Sequence, residues 1–112
     1  MVEIRILRDS RERLSSFLAT GHAGWADRGE DVVCAALSTA LQSAWLGLAE
    51  VANVPVEAER ADGNLRLTWP EAVRDDPAVR AIVMTAAKTV ETIARQYPGT
   101  ARVIHEREKA DG

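Results

Sequence analysis

The chain has 112 residues, of which 46% are apolar and 28% charged, with a formal net charge of -3. That length suits one domain spanning 1–112, with about two-thirds of the unfolded surface buried on folding, and the composition is that of a globular protein. An acidic balance argues against a general nucleic-acid binder and leaves room only for a modest basic patch.

No N-terminal leader pattern is evident, and no apolar segment is expected to span a membrane without interruption by charge, so the expected compartment is the cytoplasm and no membrane partner is expected. A single cysteine agrees with a reducing compartment, because it cannot close an internal disulfide.

In chain order, "VEIRILR" (2–8) alternates with period two, the pattern of a half-buried strand. After the polar turn "DSRE", the run "RLSSFLATGHA" predicts a second, hairpin-paired strand. Its alternation slips once near Ser15 and Ser16, as a bulge would make it do. The loop "GWADRGE" leads to Asp31, which stands where an N-cap belongs, before the helical run "VVCAALSTALQSAWLGLAEVA". Apolar positions wrap well past one stripe of this helix, while Ser38, Thr39, Gln42, Ser43 and Glu50 form a narrower polar side, so cover on more than one face is expected.

"VPVEAER" and "LRLTWP" then read as strands joined at Asp62-Gly63. A second helix follows, with Asp76 as N-cap and Pro77 at its first position, and it closes before Pro98. "RVIHERE" adds a last strand. The expected fold is α+β, a two-layer sandwich with two helices on one face of a mainly antiparallel sheet.

The chemistry concentrates in "GHAGWADRGEDVVCAALS" (21–38). With Asp31 as cap, Cys34 falls in the first helical turn, where the amide ends and the dipole favour a thiolate. His22 lies at a strand end, with a loop between them long enough to fold back. If the two meet, His22 takes the thiol proton and Cys34 attacks a carbonyl. A lone cysteine among alanines and valines is nonetheless more often a small buried hydrophobe. Asp31 is either a cap or an orienter of His22, and Ser38 either a neighbour on the thiol's face or a helix serine bonded to a carbonyl. Trp45 and Trp69 suit a core or a subunit interface, Trp25 could cover a substrate, and His105 suits the surface. One cysteine and two distant histidines make no metal-ligand set.

Taken as a block, the segment resembles the signature of the ribosomal-processing cysteine proteases, the Prp family. Gly21, His22, Ala23, Gly24, Gly29, Asp31, Val33, Cys34, Ala35, Ala36 and Ser38 carry the resemblance. It implies a homodimeric cysteine endopeptidase without cofactor, Cys34 its nucleophile and His22 its base. The implied reaction removes a short N-terminal extension from a bacterial large-subunit ribosomal protein, with the loop bearing Gly24, Trp25 and Gly29 ordered by substrate. Direct nucleic-acid binding is not expected. A ribosome-associated binding or assembly module of the same fold, without proteolysis, is the alternative. A thiol redox sensor is a third reading.

Overall fold

The structure, a computed structural model, describes residues 1–21, 28–61 and 63–109, with the backbone alone for 28–31. Strands β1 (Val2–Arg8) and β2 (Leu14–Thr20) form the first hairpin. Helix α1 (Arg28–Leu46) runs on through a π-helical turn, Gly47–Val51. Strands β3 (Glu57–Ala61) and β4 (Asn64–Thr68) form the second hairpin, and α2 (Pro77–Gln96) leads to β5 (Ala101–Arg107).

The sheet order is β3-β4-β2-β1-β5. Three pairings are antiparallel, and β5 alone lies parallel, beside β1. Both helices are crossovers between parallel strands, β2 to β3 over β4, and β4 to β5 over β2 and β1. Parallel crossovers are right-handed almost without exception. Because β2 and β4 point in opposite directions and their crossovers move in opposite directions across the sheet, right-handedness puts both helices on one face.

Val2, Ile4 and Ile6 of β1, Phe17 and Ala19 of β2, and Leu65 and Leu67 of β4 turn toward the helices and are buried. The expected slip in β2 is a bulge at Ser15: Leu7 pairs with Ser16 and Arg8 with Leu14. The extra residue is buried, and its hydroxyl donates to the Leu7 carbonyl (3.2 Å), which offsets the ladder bond lost there. Trp69 closes this end of the core, edge-on to Phe17 (centroids 5.2 Å apart), with its indole N–H donating to the Leu14 carbonyl (2.9 Å).

Helix α2 begins as its sequence predicts. Asp76 accepts from the amides of Ala78 and Val79 (2.8 and 3.3 Å), and Pro77 takes the first helical position. Its buried face is Val79, Val83, Ala86, Ala87 and Val90, while Tyr97 is exposed.

Helix α1 departs from expectation in two ways. It starts at Arg28, so Asp31 is the fourth helical residue and not the N-cap. The helical backbone continues upstream through Gly29, whose cost of about 1 kcal/mol relative to alanine is not enough to stop a helix. In addition, Val32–Val51 is long and apolar enough to cross a membrane by length and composition, contrary to the expectation that no segment is. In this fold one face of the stretch packs on the core. Val33, Leu37, Leu41, Ala44 and Leu48 are buried, and Gly47 lets α2 approach so closely that a Cβ there would stand 3.0 Å from Ile82 Cγ2.

Candidate active site

The end of the sheet formed by Thr20, Ala61 and Asn64 is where β2 stops and the chain leaves for α1. Gly21 makes that exit. Its amide donates to the Gly63 carbonyl at the tip of the second hairpin (2.9 Å), and its φ of +86 lies in the left-handed region. A Cβ at this position would stand 2.7 Å from the Met1 carbonyl oxygen. The strand end that carries the next residue, His22, is thereby pinned between the N-terminal residue and a hairpin tip. His22, Gly24 and Trp25 themselves lie outside the described residues.

On α1 the backbone places Gly29 second and Cys34 seventh. Cys34 therefore sits in the second turn, not the first as a cap at Asp31 would have it. The macrodipole acts mainly within the first turn, so its support for a thiolate here is weaker than the sequence suggested. The amides at the helix start are likewise a turn away from the thiol, and Asp31, fourth in the helix, does not stand at its N-cap.

Cys34 is half-buried. Val33 before it and Leu37 three residues on are both 1% exposed, and Cys34 packs against the same core cluster. The helix thus rides on the core by its Val33–Leu37–Leu41 stripe and holds Cys34 at the edge of that stripe, a border position from which a side chain is anchored and still meets solvent. Ser38, one turn on, shares this half-buried edge. One hydroxyl bonds back along the helix here, that of Thr39 to the Ala35 carbonyl (2.8 Å).

Of the remaining aromatics, Trp69 is wholly buried, and Trp45 is half-buried with the Arg60 guanidinium 5.4 Å over its ring, a cation–π contact joining α1 to β3. His105 is exposed on β5, between Arg8 (2.9 Å) and Glu91 (2.8 Å). Trp45 stands about three turns beyond Cys34 on α1, and Trp69 and His105 lie outside that helix. Sequence reasoning missed the role of Gly21, because the Met1 and Gly63 groups that demand a glycine are distant in the chain. A glycine directly after a β-run was the available signal.

The family model for cysteine protease Prp matches residues 1–102. The chain is 27% identical over 107 residues to the ribosomal processing cysteine protease Prp of Bacillus subtilis, covering 92% of this chain and 96% of that protein. Among solved structures, a Streptococcus mutans protein superposes with a TM-score of 0.83 at 22% identity, covering 96% of this chain and 99% of the other. The essential ribosomal processing protease Prp of Staphylococcus aureus, in complex with a substrate peptide, gives 0.79 at 19% identity, with 94% and 99% covered. The same protease with a covalently linked product peptide gives 0.76. The solved structures share this five-stranded α+β fold, and with the family model matching from the first residue to the last strand, the chain belongs to the Prp family of cysteine proteases.

Proposed function

We propose that the chain is an endopeptidase that removes a short N-terminal extension from a large-subunit ribosomal protein, with Cys34 as nucleophile and His22 as its base. One observation carries this reading: a member of a cysteine protease family needs a cysteine, and this chain has one. His22 takes the proton from the Cys34 thiol, and the thiolate sulfur attacks the scissile carbonyl carbon. The tetrahedral intermediate collapses as the His22 imidazolium protonates the departing amine, leaving a thioester on Cys34. Water, deprotonated by His22, then cleaves the thioester and restores the thiol. A site completed only when the right peptide is present protects other proteins from the thiol.

The target is supported by the relatives, one named for ribosomal processing and one solved with a substrate peptide and with a covalently linked product peptide. Two copies form the working unit in this reading. The groove between the outer faces of α1 and α2, bordered by Ala40, Gly47, Val51 and Ile82, is the surface that a second copy covers.

Mass spectrometry of the extended precursor after incubation with wild type, Cys34→Ala and His22→Ala is the test. Shortened product from wild type alone is expected. Cleavage that persists in Cys34→Ala would sink the mechanism, and no cleavage by wild type would favour a binding module of the same fold.

A further inference from the structure

At the other end of the sheet, the turn between β1 and β2, the segment after Trp69 and the first turn of α2 enclose a recess of about 360 Å³. Five arginines line it: Arg8, Arg11, Arg13, Arg74 and Arg80. Two of them are structural. Asp9, 7% exposed, accepts from the amides of Arg11 and Arg13 (2.8 and 3.1 Å) and from the side chains of Arg13 and Arg74 (3.0 and 3.1 Å). Arg74 is further held by the Trp69 carbonyl (2.8 Å), and Arg13 by Glu71 and Asp75 (3.0 and 2.9 Å). This framework fixes the turn.

The other three differ. Among the described residues, neither Arg11 nor Arg80 has a carboxylate partner, and Arg8 reaches only the His105 imidazole. Of the acids lining the recess, Asp75 is taken by Arg13 and Glu12 by Arg107. Arg80 also stands in the first turn of α2, where the helix dipole works against a cation. A protein of net charge -3 thus keeps around one recess three guanidiniums that meet no carboxylate among the described residues.

We propose that this recess binds the phosphate backbone of RNA and holds the protein against its ribosomal target. Guanidinium forks match phosphate oxygens in pairs, and RNA is the polyanion that a ribosomal protein itself binds. The second step rests on the function proposed above. The net charge, which argued against nucleic acid, averages over the whole chain and conceals this end. Lying at the end of the sheet away from Gly21, the recess leaves the Cys34 region accessible to an extension while RNA is bound.

The test is fluorescence anisotropy of a labelled RNA hairpin with the full chain, titrated between 50 and 200 mM salt. Three phosphate contacts give a log-log salt slope of about -2.7, so affinity falls about 40-fold over that range, and Arg11→Glu/Arg80→Glu lowers the slope to about -0.9. Both side chains are exposed, and Arg11 meets Asp9 only through its backbone amide, which the substitution keeps, so the variant folds. The charge-matched variant Lys88→Glu/Arg95→Glu, elsewhere on α2, should keep wild-type binding. Absence of binding by wild type, equal loss in both variants, or displacement of RNA by polyglutamate as readily as by unlabelled RNA would overturn the proposal. Cleavage of a free extension peptide is measured alongside. It should be unchanged in Arg11→Glu/Arg80→Glu, and its failure in wild type while RNA still binds would count against the protease reading alone.

Discussion

Gly21 shows how much one residue's lack of a side chain can decide. A Cβ there would meet the Met1 carbonyl oxygen, a backbone atom that cannot swing aside, and the positive φ strains any L residue. Gly21→Ala should cost about 2 kcal/mol in thermal or denaturant unfolding. Peptide cleavage should fall further than that stability loss explains, because the strand end carrying His22 is displaced. Asp9 is the corresponding polar case. Burial alone would raise its pKa, but the amides of Arg13 and Arg11 and the Arg74 guanidinium outweigh it and hold the carboxyl below its ordinary value. A depressed carboxyl stabilises the fold above its unfolded pKa, and that contribution is lost as pH falls through the folded one. Asp9→Asn should therefore cost about 2 kcal/mol at pH 7, and the gap to wild type should close below about pH 4 as the wild-type group protonates. Urea melts at pH 7, 5 and 3 check this. At this scale the sequence was uneven. Cys34 and His22 stood out because their neighbours form a recognisable block, whereas Gly21 and Asp9 draw their importance from Met1, Gly63 and Arg74, contacts that only the folded chain creates.

Elements were more legible where their signals are local. Asp76-Pro77 announces α2, and the structure places both residues as cap and first helical position. Asp76→Ala should lower stability by about 1 kcal/mol, read as a shift in melting temperature. The slip at Ser15 and Ser16 foretold the bulge, since period-two alternation cannot lose a step without one. The start of α1 was misplaced because Asp31 looked like a cap, and nothing nearby in sequence shows that Gly29 is helical. That four-residue error mattered, since it moves Cys34 from the first turn to the second. The parallel placement of β5 was hidden for a different reason: strand direction follows from which edge a crossover reaches, and local pattern does not record that.

For the molecule as a whole, the helical layer covers one face of the sheet and leaves its own outer face to solvent in a single copy. Val32, Val51 and Met84 are exposed there at 63%, 76% and 44%. Sedimentation should give twice the chain mass. Val51→Asp, at the edge of the groove between the helices, should give a monomer with an unchanged melting profile at low concentration, because the side chain is not part of the core.

The parallel pairing of β1 with β5 also sets the order in which the protein can form. Val2 meets Ala101 and Arg8 meets Arg107, so the first strand made waits for the last. During synthesis β1, β2 and β4 can associate early, while the far edge of β1 stays bare, an open template for pairing with another chain. Such distant partners put refolding in the range of about milliseconds to seconds. A chain stopped at Gln96 should retain both hairpins and both helices yet aggregate through that edge, so completion of the chain, more than its local elements, is what seals the fold.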